Sequence, residues 1–334
     1  MDTSHSHDPV YERTKVDAAP VRTKPGIERA PNLTETAPRS GKIISIISNK
    51  GGVGKTIFSI ETANVIGKTG KRVLLIDTDI NTGDISSKLS LHSSRTLLDF
   101  FDKTENDFKK LIIRKHHFDL IPGAGGNFKF ANINYFQKLK FIQSFKKVAE
   151  NYDYTILDLG AGIDRTTLDF ALTADYPVII TTPEDVQSGY GCAKAAAERY
   201  IELEMKLQQK HPGYRINRNF TPLFVFNRCN ADIAYGIFQG IKRAVEITRN
   251  RSGICIQPGF LGSIINDYRR VGKSYYALHA PISEIFPDSS IGRSYDGIAR
   301  YFLRTNTVRD DSQFISPLVK ILRLFQSTRD EAKA

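Results

Sequence analysis

The run Asn49-Lys-Gly-Gly-Val-Gly-Lys-Thr-Ile57 gathers three glycines, two lysines and a hydroxyl into one short stretch. Gly51, Gly52 and Gly54 let the backbone wrap closely enough for successive N–H groups to point at phosphate oxygens. A helix starting near Lys55 adds its positive dipole end at the same place. In that setting the Lys55 ammonium reaches the β- and γ-phosphates of a nucleoside triphosphate, and the Thr56 hydroxyl ligates Mg²⁺. The context this chemistry requires is legible, because an apolar run, Ile43–Ile47, precedes the glycines and a helical pattern follows them. The expected ATP contacts are therefore Lys50, Gly51, Gly52, Val53, Gly54, Lys55, Thr56 and Ile57.

Two further segments carry carboxylates at the ends of apolar runs. Val73-Leu-Leu-Ile-Asp77-Thr-Asp79 places two at the C-terminal end of a strand, and Tyr154-Thr-Ile-Leu-Asp158 places one more, followed by Leu-Gly-Ala-Gly. Open α/β sheets bind ligands at that end. Asn227-Arg228 closes a third apolar run, Leu223-Phe-Val-Phe.

The elements that must position these groups follow from the same periodicities. Ile43–Ile47, Val73–Ile76, Tyr154–Leu159, Val178–Thr182 and Leu223–Asn227 read as buried strands, with Phe118–Ile121 and Phe260–Ile264 as weaker ones. Helical segments over Ile57–Lys68, Phe136–Glu150, Gly191–Lys210 and Ile233–Arg249 alternate with them. That alternation predicts an α/β fold: a doubly wound, mostly parallel sheet flanked by helices.

Residues 1–41, with five prolines among polar residues, are expected to form a disordered tail. Residues 42–303 are expected to form the domain, and 304–334 a polar linker and a short helix. Over 316–325, Ser316 and Pro317 read as a helix start. Leu318, Ile321, Leu322 and Phe325 then share one face, with Lys320 and Arg323 opposite. Such a face suits either an anionic membrane surface or the protein's own domain.

The net charge of +11 is concentrated late in the chain, where residues 206–334 hold 20 Lys plus Arg against 10 Asp plus Glu. An anionic partner and a solvated basic surface both account for that excess. Three scattered cysteines, Cys192, Cys229 and Cys255, exclude a disulfide framework and fit a reducing cytosol.

In the general phosphate-loop pattern, G-x-x-x-x-G-K-[ST], the first glycine falls at Asn49 and is followed here by Lys50. Lys50-Gly-Gly-Val-Gly-Lys-Thr56 thereby resembles the deviant Walker A family of P-loop NTPases, which includes MinD, ParA, FlhG and the nitrogenase iron protein. The resemblance implies an ATP-dependent homodimer in which Lys50 reaches across to the partner's phosphates. It also implies that Asp79 positions the attacking water, that Asp77 lies near the metal, and that Asp158 reaches Mg²⁺ through a water. Catalysis is thus expected from Lys50, Lys55 and Asp79, metal binding from Thr56, Asp77 and Asp158, and adenine contact from Asn227 and Arg228, against a plain turn at that position. Thr181-Thr-Pro-Glu184 matches a family loop of less specific role, and Asp84 stands where relatives often carry Asn.

Ile121-Pro-Gly-Ala-Gly-Gly126, Asp158-Leu-Gly-Ala-Gly-Ile163 and Phe260–Asp267 are similar to the FlhG branch. That branch implies a slow, Mg-dependent ATPase regulating flagellar number or placement, cytoplasmic or peripheral on the inner face of the cell membrane, with an FlhF-like GTPase as partner. The chain lacks the Asp-Gln-Ala-x-x-Leu-Arg motif of many FlhG tails. A ParA-like DNA-binding partition ATPase is the alternative. A redox carrier is excluded by the absence of paired cluster-ligating cysteines.

Overall fold

Apolar β-branched runs form the centre of the molecule, as their composition dictates. The computed structural model describes residues 41–79, 83–115, 117–123, 125 and 133–304; the expected tail before residue 41 and helix over 316–325 lie outside them. In chain order the strands are β1 (Lys42–Ser48), β2 (Val73–Thr78), β3 (Ile113–Arg114), β4 (Asp119–Ile121), β5 (Tyr154–Ala161), β6 (Tyr176–Thr181), β7 (Asn219–Phe220), β8 (Leu223–Asn227), β9 (Cys255–Ile256) and β10 (Gly259–Ile264). Eight of them form one sheet in the order β10-β8-β6-β1-β5-β2-β4-β3, and β7 and β9 form a small parallel pair. Within the large sheet every pairing is parallel except β3 with β4.

The helices are α1 (Lys55–Lys68), α2 (Asp84–Lys88), α3 (Leu97–Phe101), α4 (Tyr135–Ala149), α5 (Arg165–Ala171), α6 (Val186–Lys210), α7 (Ala231–Ser252), α8 (Tyr268–Gly272), α9 (Ile282–Ile285) and α10 (Ser290–Arg304). Helix α8 runs directly into a π-helical turn, Lys273–Leu278. Because side chains alternate across a strand, each strand feeds two cores. Ile43, Ile47, Leu74, Ile76, Leu157, Leu159, Phe224 and Phe226 join one core, with α4 to α7. Ile44, Ile46, Val73, Leu75, Ile156, Val178 and Val225 join the other, with α1 and α10. A sheet covered on both faces is why its strands read as near-continuous apolar runs.

All seven expected strands are present, and the four expected helices are present with shifted starts. Helix α6 starts at Val186, five residues before the expected Gly191, because a short turn with Pro183 at its first position leads straight into it. Among the helices that side chains cap, Asn134 and Gln137 form a capping box on α4, and Asp164 and Asn230 cap α5 and α7.

On the α4–α7 side, Asp169 of α5 accepts from Lys138 of α4 and from Arg199 of α6 at 2.7 Å. All three side chains are nearly buried. Asp169→Asn would leave buried Lys138 without its carboxylate and Arg199 with Glu202 alone, so it should cost about 3 kcal/mol or more in urea unfolding. A loss below about 1 kcal/mol, the range of an exposed pair, would contradict this.

Candidate nucleotide-binding site

Strand β1 ends at Ser48 in the middle of the sheet, and α1 begins at Lys55, directly after the loop of residues 49–54. That loop closes over the C-terminal edge, flanked by the ends of β5 and β6. Gly54 is the N-cap of α1 with φ +102°, and a Cβ there would come within 2.3 Å of the Asn227 amide. Only glycine fits both the left-handed backbone and that contact. No side chain caps α1 and no acidic residue stands in its first turn. Its first N–H groups and its dipole are therefore left to a ligand.

Strand register explains why the carboxylates meet. Asp77 of β2 pairs directly with Asp158 of β5, so two residues 81 apart in sequence sit side by side. Both are buried. Asp158 accepts from Ser59 at 2.9 Å through Oδ1, and the nearby Thr56 hydroxyl also favours its charged form. Burial raises its carboxyl to about 6, against the pull of Ser59, Thr56 and Lys55. Burial, and then Asp158, push the Asp77 carboxyl well above the ordinary range. Asp77 accepts from the backbone N–H of Asp79 (3.1 Å) and of Ile85 (3.3 Å), so it ties both ends of the loop that carries Asp79. Asp79 lies against Gly160, where a Cβ would stand 3.1 Å from its carboxylate.

Lys55 is the buried counter-charge. Its ammonium donates to Ser48 Oγ at 3.1 Å. Burial lowers its pKa, while Asp158 and Asp79 favour the charged form. Lys50 differs: its side chain is 60% exposed, and its ammonium pairs with Asp185 Oδ1 at 2.5 Å, which holds that carboxyl below its usual range. Asp185 follows the Thr181–Glu184 loop directly, and nothing in its local sequence marks it for a role.

Asn227 and Arg228 take the backbone carbonyls of the loop. Asn227 Nδ2 donates to Val53 O at 2.7 Å, and Arg228 Nη2 to Gly52 O at 2.6 Å. Fixing those carbonyls outward leaves the loop N–H groups for an anion. The Arg228 guanidinium also lies over the Tyr268 ring, 5.7 Å from its centroid. Between them opens a small, open cleft lined by Gly54, Ile57, Asn227, Arg228, Asp267 and Tyr268 among others.

The residues fit a hydrated divalent ion. Asp158 Oδ2 is buried without a hydrogen-bond partner, and the Thr56 hydroxyl lies near the same carboxylate. Among the described residues no cage of three His, Cys, Asp or Glu side chains closes around a metal. A Mg²⁺ ion suits such a site, since it keeps several waters and takes few protein ligands besides phosphate oxygens.

Comparison with known proteins bears on this geometry. A family model described as an AAA domain matches residues 41–203. The sporulation initiation inhibitor protein Soj of Bacillus subtilis is 30% identical over 181 residues, covering 51% of this chain and 67% of Soj. The chain belongs to the MinD/ParA family of P-loop proteins. Within that family, the flagellum site-determining protein YlxH of Helicobacter pylori is 31% identical over 165 residues, covering 48% of this chain and 56% of YlxH. The chain spans about half the length of most curated MinD/ParA relatives it matches. The crystal structure of the cell division ATPase MinD from Pyrococcus furiosus shares the fold, with TM-score 0.58 at 20% identity over 79% of this chain and 99% of that one.

Asp158→Asn removes one of three crowded carboxylates, Asp77, Asp79 and Asp158, beside the buried cation Lys55. It should raise the melting temperature of the nucleotide-free protein by about 2–4 °C. It should also abolish the Mg²⁺ dependence of ATP binding. Thermal melts and titration calorimetry with and without Mg²⁺ check both; a lower melting temperature with the Mg²⁺ dependence intact would contradict the assignment.

Proposed function

We propose that this chain is a slow, Mg²⁺-dependent ATPase switch of the MinD/FlhG kind, which pairs with a second copy of itself when ATP is bound. The observation that carries the proposal is the joining of a buried Lys55, an orphaned Asp158 oxygen and the Asp79 loop at the mouth of an uncapped helix. Lys55 and the loop N–H groups hold the phosphates. Thr56 and Asp158 would hold the ion, which would supply positive charge against the phosphates. Asp79 orients the attacking water, and phosphoryl transfer asks for little more than such placement and charge stabilisation.

Support for pairing comes from the same edge of the sheet. Phe136 at the start of α4, Ile163 after β5, Ile233 and Tyr235 at the start of α7, and Ile265 and Tyr268 after β10 are exposed. All follow the C-terminal ends of strands, so an apolar set surrounds the phosphate loop, in keeping with a surface that a second copy covers. Lys50 is exposed beside it and leaves Asp185 for the partner's γ-phosphate, acting as an arginine finger does.

The cellular role we propose is spatial regulation at a membrane surface, with flagellar placement favoured by the likeness to YlxH. No helix among the described residues is long and apolar enough to cross a membrane. Residues 316–325 would attach the pair peripherally, and two weak anchors on one pair bind by avidity. An FlhF-like GTPase is the proposed protein partner. A ParA-like reading has its own observation: Lys242, Arg243, Arg249 and Arg251 are exposed along α7, a basic stretch able to contact DNA phosphates.

Lys55→Ala should abolish ATP binding, whereas Asp79→Ala should bind ATP normally and release phosphate at least about 100-fold more slowly. Near-normal phosphate release by Asp79→Ala would move water positioning elsewhere. Cosedimentation with anionic liposomes and, separately, plasmid DNA decides the partner. ATP-dependent recovery with liposomes supports the membrane reading, and recovery with DNA alone overturns it.

A further inference from the structure

Glu61 lies at the centre of α1, one turn beyond Ile57, and is fully buried. Among the described residues no lysine, arginine or histidine forms an ion pair with it. Its carboxylate instead collects three donors from a distant segment. Oε1 accepts from the Tyr275 hydroxyl and the Ile282 N–H, each at 2.5 Å, and Oε2 accepts from the Ser283 N–H at 2.9 Å. Burial pushes the Glu61 carboxyl upward against the pull of those donors.

The contact extends along one face of α1. Asn64 donates to Ser283 Oγ at 2.9 Å, and Lys68 donates to the Ser283 carbonyl at 2.7 Å. Residues 61, 64 and 68 share that face by helical spacing. Helix α9 is preceded by Pro281, which offers no side-chain cap, so Glu61 caps α9 from another helix.

The segment gripped in this way is the one that walls the cleft beside the phosphate loop. Asp267, Tyr268 and Val271 line the cleft, and the chain continues through α8 and the π-turn to Tyr275. π-Turns are rare and often mark functional sites. Tyr295 joins the two regions, since it lines the cleft and feels the Glu61 charge. The phosphate half of the site is built on α1 itself, whereas the outer wall of the cleft belongs to residues 265–271 with Ile291 and Tyr295, and residues 272–283 carry that wall back to Glu61. Glu61 is the group on α1 that receives that segment.

We propose that Glu61 is a positioning residue for the nucleobase half of the site, fixing the wall of Asp267, Tyr268 and Val271 at a set distance from the phosphate-loop helix. This rests on the reading that the base of a bound nucleotide occupies the cleft. A ligand that spans both halves then depends on Glu61, and a ligand that touches the phosphate loop alone does not.

The test is calorimetric titration of the full chain at fixed Mg²⁺ with ATP and, separately, with inorganic tripolyphosphate. Glu61→Gln leaves at least one buried donor unpaired and should raise the Kd for ATP about tenfold, and the milder Tyr275→Phe about threefold. Tripolyphosphate affinity should stay within about twofold in both. Equal weakening of both ligands would mean that Glu61 only supports the fold, and unchanged ATP affinity in both variants would mean that it does not set the wall; either result overturns the proposal. A wild-type chain that binds ATP no more tightly than tripolyphosphate would instead overturn the base-cleft reading beneath it.

Discussion

Crowding of like charge at the C-terminal edge of a buried parallel sheet is the constraint on which the rest of the site depends. Asp77 and Asp158 are paired in register and buried, Asp79 follows two residues later, and Lys55 is the buried cation beside them. Burial in a low dielectric is the main reason both carboxyls are raised, and a neighbouring charge adds to it, Asp158 at Asp77 and Asp79 at Asp158. Asp77 relieves part of that cost by accepting two backbone N–H groups, and Asp158 by accepting from Ser59. One oxygen of Asp158 remains without a partner. A hydrated divalent cation would supply the positive charge that these carboxylates lack, and a polyphosphate the anion that Lys55 and the uncapped end of α1 face.

The same edge explains why the loop has its shape. A phosphate cradle needs N–H groups turned inward and carbonyls turned outward, and the outward carbonyls need donors. Asn227 and Arg228, from a strand two positions away in the sheet, supply them. Lys50 is held by Asp185 at the rim, outside the buried cluster. The two lysines therefore differ in kind: one is built into the core, and the other is an exposed charge that can exchange one anionic partner for another.

How much of this was legible in the sequence depended on range. Strands β1, β2, β5, β6 and β8 announced themselves because burial on both faces makes their apolar runs continuous. Lys55, Thr56 and the glycines were legible because a phosphate loop is local. The two-residue strands β3, β7 and β9 were not, since they are too short for any period. Asp185 and Ser59 were missed because their meaning lies in contacts 135 and 99 residues away. Glu61 was hidden for a different reason. A glutamate inside a helix reads as a solvated position, and only its distant donors, 214 to 222 residues along the chain, reveal it as buried. Asn227 and Arg228 were read as base contacts, and the structure adds their grip on the loop carbonyls.

If an exposed Lys50 and the apolar rim serve a nucleotide-dependent pair, the γ-phosphate must control association. Light scattering of the full chain with Mg²⁺ and a non-hydrolysable ATP analogue, and then with Mg·ADP, tests this most directly. The account predicts about twice the monomer mass of 37.5 kDa with the triphosphate and the monomer mass with the diphosphate. The same mass with both nucleotides would contradict it.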